Sequence, residues 1–263
     1  MYQTTFEKAD KATITAAFTA AYTGYFYPLA FSEESTANYI HVHDIAPVSP
    51  LWMRDGRPVA VGALGIRGER AWVGAFGIAP EYRGKGLAQG MFGEIVRLAK
   101  KHGAKRMSLE VLKQNARARA IYERAGFKHA RTLVSLDGTV PVADAGTACE
   151  APVRSLIARP VADAPQPCWQ REMRSLELRA HQLSGMIAGK SFAVYRDDVE
   201  IASIWKAELA GDDADEVLRG VAFRTVTDKL SISNEPDGSP LLMQLLERLW
   251  VPAAEQSEMH LTL

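Results

Sequence analysis

The sequence predicts a mixed α/β protein in two parts, and three observations support this prediction. Strand-like apolar runs alternate along the chain with segments whose apolar residues recur every three to four positions, as on one face of a helix. An Ala- and Pro-rich segment with little periodicity, residues 137–168, divides the chain. The 263 residues, 47% hydrophobic and 24% charged, are typical of a folded protein with one large or two small domains.

The first part, residues 1–136, carries clear start and stop signals for its elements. A helix is expected to begin at Ser32, because Glu33 and Glu34 in its first turn suit the helix dipole. Asn115 is a typical helix N-cap, and Asp55-Gly56 is typical of a hairpin turn. The predicted elements are, in order, a strand at 2–6, helices at 10–31 and from 32, strands at 51–53, 59–66 and 71–79, a helix at 87–102, a strand at 107–112, a helix at 115–125 and a strand at 128–136.

After the connecting segment 137–168, the pattern predicts a smaller α/β domain at residues 169–263. Its predicted elements are a helix at 169–188, strands at 192–195 and 201–209, a helix at 212–227, a strand at 230–233, a helix at 239–250 and a strand at 259–263.

The composition limits the classes of partner. Lys and Arg together number 31, as do Asp and Glu, and this balance gives no support to a nucleic-acid or acidic-membrane partner. No apolar stretch approaches the roughly 20 residues that span a bilayer, and the N-terminal residues lack the apolar core of a signal peptide. Cys149 and Cys168 cannot form a disulfide framework. We therefore expect a cytoplasmic protein.

A Gly-rich, basic loop follows the most apolar predicted strand and opens a helix. Gly84 and Gly86 allow a close approach of the backbone, and the free N–H groups at a helix start favour a diphosphate. An ordinary tight turn is the alternative. Lys85 is followed by Gly, so the loop is not an ATP-binding P-loop, and Gln89 breaks the dinucleotide-binding pattern.

Two blocks of residues match one known family. The first is Arg83-x-x-Gly86-x-Ala88 with Ile78, Pro80 and Tyr82 before it. The second is Leu109-Glu110-Val111 with Asn115, Ala120, Tyr122 and Gly126-Phe127. Over residues 1–136 the chain resembles the GNAT superfamily of acyl-CoA-dependent N-acetyltransferases. The resemblance implies a mixed, mostly antiparallel central sheet flanked by helices, and acetyl-CoA as co-substrate.

The resemblance also implies roles for single residues. Tyr122 corresponds to the general acid near the CoA sulfur, Glu110 to the general base of the branch that acetylates protein N-termini, and Asn115 to a ligand of the cofactor arm. The pantetheine and pyrophosphate positions correspond to Phe76, Gly77, Ile78, Arg83, Gly84, Lys85, Gly86, Leu87, Ala88 and Gln89.

The chemistry agrees with these roles. An alkyl ammonium of pKa near ~10.4 must lose a proton before it attacks a thioester, and the departing thiolate needs a proton. Tyr122 could instead be a core tyrosine, and Glu110 could be an exposed strand residue or a salt-bridge partner. The resemblance also allows a chain of water molecules, instead of a single carboxylate, as the base. The two cysteines have no neighbouring base pattern, so we expect direct transfer in a ternary complex.

Three further features carry weaker predictions. His41 and His43 could share one face of a strand as metal ligands, but no third ligand is evident, and we expect no metal. An aromatic cluster could shape the acceptor pocket through Tyr25 and Tyr27 or could be core packing; its members are Tyr22, Tyr25, Phe26, Tyr27 and Phe31. Residues 83–131 hold 13 Lys and Arg against 3 Asp and Glu, so the neutral total conceals a basic region.

The second part resembles a degenerate copy of the same fold, as in tandem GNAT proteins, without a phosphate loop. The sequence therefore predicts transfer of an acetyl group from acetyl-CoA to a primary amine of a small molecule or peptide. Acetylation of a protein N-terminus or lysine and a non-catalytic acyl-CoA-binding module are the alternatives. A homodimer remains open.

Overall fold

The structure of the protein is a computed structural model that describes residues 1–142, 144–198 and 200–263. It contains two compact units. Unit 1 comprises residues 1–130 and 258–263, and unit 2 comprises residues 131–257. Residue 143, within the predicted connection, lies outside the described residues. No helix of the described ranges is both long and apolar enough to cross a membrane.

Unit 1 is a mixed sheet with helices packed against it, as predicted. Its antiparallel strands follow the order β1-β2-β3-β4, β5 runs parallel to β4, and the end of the last strand of the chain, β12, lies beside β5. The elements are β1 (Tyr2–Thr5), α1 (Lys11–Tyr22), α2 (Glu33–Val42), β2 (Pro50–Arg54), β3 (Arg57–Arg67), β4 (Arg70–Ile78), α3 (Leu87–Lys101), β5 (Arg106–Leu112) and α4 (Ala116–Arg124).

The local signals placed most boundaries correctly. The Ser32 side chain accepts from the Ser35 backbone N–H, while the Ser35 hydroxyl accepts from the Ser32 backbone N–H, and this reciprocal cap starts α2. Asp55 and Gly56 both have positive φ, as a two-residue hairpin turn requires. The predicted helix at 10–31 is wrong beyond Tyr22, because the chain turns at Gly24 with φ of 73°.

Helix α3 supplies much of the unit 1 core. Its buried stripe packs against the sheet and consists of Met91, Phe92, Ile95, Leu98 and Ala99. Met259 belongs to the same core, although the sequence assigned this strand to the second part. The reason is packing: residues 258–263 bring alternating apolar side chains against β5, and the Leu263 N–H donates to the Lys105 carbonyl.

The strands of unit 2 also pair in a mixed arrangement. β8, β9 and β10 are antiparallel, and β11 is parallel to β10 and antiparallel to β6. Its elements are β6 (Lys128–Thr139), β7 (Cys149–Glu150), α5 (Val153–Ala158), α6 (Met173–Leu178), β8 (Ser184–Ala188), β9 (Ser191–Arg196), β10 (Ala202–Glu208), α7 (Asp213–Thr225), β11 (Lys229–Pro236), α8 (Pro240–Glu247) and β12 (Val251–Thr262), of which β6 begins and β12 ends in unit 1.

The structure corrects three predictions in unit 2. The helix predicted at 169–188 ends at Leu178, and residues 184–188 form strand β8. The backbone packs closely in this strand, because a Cβ on Gly185 would lie 2.5 Å from the Ala151 carbonyl oxygen. The segment 137–168 is not irregular throughout, because it contains β7 and α5, with Leu156 and Ile157 buried. Helix α8 ends at Glu247, before Leu249 adopts a positive φ.

The two units share one topology. In each unit a bulged strand is followed by a helix, then by a strand that runs parallel to the first one, and then by a second helix. These elements are β4-α3-β5-α4 in unit 1 and β10-α7-β11-α8 in unit 2. Asn115 caps α4 and Ser239 caps α8. Unit 2 is thus a second module of the same architecture.

Candidate active site

A cavity opens in unit 1 where β4 and β5 separate. The parallel ladder runs from Arg70–Arg106 to Val73–Leu109, and β4 is bulged at the next residue, Gly74. A bulge locally disrupts pairing and bends a strand. The second half of β4 therefore faces a space of about 540 Å³ that β5 borders on the other side.

The cavity is lined by the end of α1, the second half of β4, the loop before α3, the end of β5 and one face of α4. The lining residues are Ala21, Tyr22, Gly24, Tyr25, Phe26, Val73, Gly74, Ala75, Phe76, Gly77, Ile78, Arg83, Gly84, Gly86, Leu87, Ala88, Glu110, Val111, Asn115, Arg117, Ala118, Ile121, Tyr122 and Arg124. Most residues singled out from the sequence are thus brought together.

The loop before α3 has the backbone geometry of an anion site. Gly84 and Gly86 adopt φ of 75° and 77°, which side-chain-bearing residues rarely tolerate. Gly86 is the N-cap of α3. Because glycine has no side chain that could accept a hydrogen bond, the first backbone N–H groups of the helix remain available. A Cβ on either glycine would meet nothing within 4 Å. The loop is therefore open to a ligand, and the helix dipole favours a negative one.

Arg83 has a role that the sequence did not indicate. Its Nε donates to the Ile78 carbonyl at 2.8 Å, and its Nη2 donates to the carbonyls of Ala21 and Thr23 at 3.0 and 2.9 Å. One guanidinium therefore joins the end of α1 to the end of β4. Arg83 lines the cavity, but its hydrogen bonds fix the backbone around it.

Three predicted ligands stand apart from the cavity. Lys85 and Gln89 are exposed and are not among its lining residues in the described chain, and the Lys85 ammonium lies 5.6 Å from the centroid of the Tyr82 ring. Tyr27 is 42% exposed and is also absent from that lining. Tyr25 does line the cavity, so the structure separates the two predicted acceptor residues.

Tyr122 points from α4 into an aromatic environment. It is 7% exposed, and its ring lies 5.2 Å from that of Phe92 and 6.1 Å from that of Phe76. Burial raises the pKa of the Tyr122 phenol, and the neighbouring Tyr22 and Tyr25 add to that rise. The phenol therefore stays protonated across the ordinary pH range and is available as a proton donor.

Asn115 lies two helical turns before Tyr122 on the same face. Its Oδ1 accepts from the Ala118 backbone N–H at 3.1 Å and so caps α4, as the sequence predicted. The cap uses the acceptor of the side-chain amide and leaves the Nδ2 donors for another partner.

Glu110 faces the cavity from β5. Its Oε2 accepts a hydrogen bond of 2.8 Å from the indole Nε1 of Trp72, which is 1% exposed. Leu109 and Val111 on either side are buried in the core, so the strand alternation directs Glu110 to the other face. The indole N–H fixes the orientation of a carboxylate that stands in the same cavity as Tyr122.

The aromatic cluster predicted near the first two helices is present. The Tyr22 ring lies 5.1 Å from Tyr25 and 5.6 Å from Phe31, and Tyr25 lies 5.5 Å from Phe26. Burial raises the pKa values of Tyr22 and Tyr25. The cluster forms one wall of the cavity through Tyr22, Tyr25 and Phe26.

The interpretation of His41 and His43 as neighbours on a strand is wrong. His41 lies in the last turn of α2 and is exposed, and His43 follows the helix and is buried against Tyr39 and Trp72. Over the residues that the structure describes, no three His, Cys, Asp or Glu side chains are grouped to hold a metal ion.

A mixed sheet whose parallel strands separate around a cavity, with an open glycine loop at a helix start, defines the fold of the GNAT acetyltransferases. Residues 13–127 match the model of the acetyltransferase (GNAT) family, and this part of the chain is a GNAT domain.

Two curated relatives are named as N-acetyltransferases. The chain is 33% identical over 67 residues to the uncharacterised N-acetyltransferase YycN of Bacillus subtilis, a match that covers 26% of this chain and 43% of that protein. It is also 33% identical over 75 residues to a candidate ribosomal protein bS18-alanine N-acetyltransferase of the same organism, covering 28% and 50%. The chain thus spans half or less of the curated relatives that it matches.

The architecture of two modules is also present in a solved structure. A tandem GNAT protein from the clavulanic acid biosynthesis pathway superposes with a TM-score of 0.71 at 12% identity, covering 99% of this chain and 98% of that one. At this identity the likeness concerns the fold alone, and it supports a tandem arrangement of two GNAT modules.

Proposed function

We propose that unit 1 transfers an acetyl group from acetyl-CoA to a primary amine by direct attack within a ternary complex. One observation carries the proposal: a phenol, Tyr122, and a carboxylate, Glu110, line the same cavity as the open glycine loop. A binding module needs the loop but has no use for a proton donor held in this way.

The residues present fit the co-substrate. Its pyrophosphate would lie on the amide groups of Gly84 to Ala88, where the backbone is open and α3 directs its positive end. Its pantetheine arm would follow the second half of β4, which is freed from β5 by the bulge at Gly74. Asn115 lines the same cavity, and the Nδ2 donors that its cap leaves unused suit the amides of that arm.

Each chemical step then has a group in position. The neutral amine attacks the thioester carbon, a C–N bond forms, and backbone N–H groups at the end of β4 stabilise the negative charge on the oxygen. The C–S bond breaks, and the Tyr122 phenol donates its proton to the thiolate. The proton removed from the amine leaves through Glu110, whose orientation Trp72 fixes, or through water beside it.

The acceptor is an amine that enters beside Tyr25 and Glu110. The aromatic wall of Tyr22, Tyr25 and Phe26 favours a small molecule or peptide with an apolar group near its amine. Acetylation of a protein N-terminus is the second candidate, because a relative sharing 33% identity is named for a ribosomal protein alanine.

The test is a panel of amines and peptides incubated with acetyl-CoA, with release of free thiol as the readout. The panel should contain aliphatic, aromatic and amino-acid amines, and peptides with a free N-terminal alanine or an internal lysine. We expect thiol release that depends on an amine. Tight binding of acetyl-CoA without thiol release for any acceptor would instead identify a binding module.

Glu110→Gln tests the base. Gln still offers an oxygen to the Trp72 N–H, so the geometry is kept while the proton acceptor is lost. We expect the rate to fall by about 10- to 100-fold near pH 7, where the amine is almost fully protonated, and by a smaller factor near pH 10, where the neutral fraction of an amine of pKa ~10.4 is far larger. The measurement is a pH–rate profile.

Glu123→Gln is the matched control for this change. Glu123 lies on the exposed side of α4 and pairs with Arg119, so its variant should match the native profile. An equal loss at every pH in Glu110→Gln would assign Glu110 a structural role and leave the water chain as the base.

A further inference from the structure

Unit 2 contains a cavity of its own, of about 490 Å³. It lies at the same point of the topology as the cavity of unit 1. The parallel ladder between β10 and β11 runs from Ala202–Leu230 to Ile204–Ile232, and the bulge of β10 follows at Trp205, which lines the cavity. Its volume falls within the range of about 300–1,000 Å³ that is usual for small-molecule sites.

This second cavity is not built for a nucleotide. The connection from β10 to α7 contains one glycine, Gly211, instead of the Gly-x-Gly pair that precedes α3, and the first turn of α7 carries Asp213, Asp215 and Glu216. Three carboxylates at a helix start already interact with the positive end of the helix dipole, and their negative charge would repel a pyrophosphate. A ligand of unit 2 is therefore smaller than acetyl-CoA and lacks phosphate groups.

The walls of the cavity are mainly apolar. Trp205 lies along one side, and its indole Nε1 is buried without a hydrogen-bond acceptor among the described residues. The aliphatic walls come from Ile157, Val161, Leu176, Ala207, Pro236 and Leu241. Such walls select a ligand with an apolar body.

The acidic groups of the lining are already engaged. The Glu235 carboxylate pairs with the Arg171 guanidinium and accepts from the Ser239 hydroxyl, so this buried group is neutral as a whole. Glu172 accepts from Gln166 Nε2. The remaining charged residues of the lining, Arg159 and Lys206, are both cations.

These two cations lie close to one ring. The Arg159 guanidinium is 5.0 Å and the Lys206 ammonium 5.8 Å from the centroid of Phe192, and the ammonium donates to the carbonyls of Ile157 and Arg159. Burial lowers the pKa of Lys206, against a smaller opposing effect of Glu208. The Arg159 Nη2 also donates to the Lys190 carbonyl at 3.1 Å, and an anion beside either cation would be stabilised by charge attraction.

We propose that the cavity of unit 2 binds a small monocarboxylate with an apolar body, whose carboxylate pairs with Lys206 and Arg159 and whose body lies against Trp205. The proposal is independent of acetyl transfer, because it uses residues of unit 2 alone.

The test uses 4-phenylbutyrate and its uncharged amide, 4-phenylbutyramide, as probes on the full chain. Binding is measured by isothermal titration calorimetry, and quenching of the tryptophan fluorescence of the chain is the second readout. We expect the acid to bind at least about tenfold more tightly than the amide, because a charge-assisted hydrogen bond is lost in the amide. Equal affinities, or no binding of the acid at 10 mM, would overturn the proposal.

Two variants locate the site. Lys206→Met and Arg159→Gln should each reduce the preference for the acid to less than about threefold. Lys229→Met removes the same charge from an exposed position of unit 2 and should leave the preference unchanged. Circular dichroism checks that each variant is folded. If the preference persists in both cavity variants, the acid binds elsewhere and the proposal fails. Quenching should disappear in Trp205→Phe, and quenching that persists there also contradicts the site.

Discussion

Tyr122→Phe is expected to lower the kcat for acetyl transfer by about 10²- to 10⁴-fold, with a change of less than about threefold in the Kd for acetyl-CoA. Phenylalanine keeps the ring contacts with Phe76 and Phe92 and removes the proton that the departing thiolate requires. Turnover is measured as free thiol and the Kd by calorimetry. An unchanged kcat would remove Tyr122 from the mechanism and leave it as a core residue.

The pH dependence sharpens this test. Because burial holds the pKa of Tyr122 above its usual range, the native enzyme should keep its rate up to about pH 10. Tyr82→Phe is a matched control, since Tyr82 lies in unit 1 but outside the lining of the cavity. Its kcat should equal that of the native protein.

Arg83→Met is expected to weaken acetyl-CoA binding by about 10- to 100-fold and to lower the free energy of unfolding by about 2–4 kcal/mol. The change removes three charge-assisted hydrogen bonds and leaves the carbonyls of Ala21, Thr23 and Ile78 without this donor. The end of α1 and the end of β4 then lose their common anchor. Calorimetry gives the first quantity and denaturant unfolding the second.

Arg83→Lys separates geometry from charge. A lysine keeps the positive charge, but its single ammonium cannot reproduce the planar fork that reaches three carbonyls. If Arg83 acts by positioning, the Lys variant behaves like the Met variant. Recovery of most of the affinity by lysine would show instead that the charge itself binds the pyrophosphate. Arg57→Met, at the exposed hairpin of β2 and β3, is the control and should change neither quantity.

The sequence could predict the elements whose signals are local. The caps at Ser32 and Asn115 and the turn at Asp55-Gly56 depend on side chains within three residues of one another, and the structure contains all of them. The positive φ of Gly84 and Gly86 belongs to the same class. These features placed the loop and α4 correctly because the backbone there depends on near neighbours in the sequence.

The rest depended on distant partners. The hydrogen bonds of Arg83 reach residues up to 62 positions away, and Trp72 reaches Glu110 across 38 positions. No local pattern distinguishes an arginine that binds a phosphate from one that joins two backbone segments. The strand at 184–188 was missed for a similar reason: its pairing with β9 and β7 outweighs the helical spacing of its apolar residues.

The assignment of residues 258–263 to unit 1 has a consequence for how the protein is made. The segment follows the rest of the unit by more than a hundred residues of unit 2, so a ribosome releases residues 1–130 well before the strand that borders β5. During that interval the edge of β5 and the core around Met107 and Phe127 lack the cover of Met259. An uncovered strand edge is prone to aggregation, so the first unit keeps this exposed edge until residues 258–263 have been made.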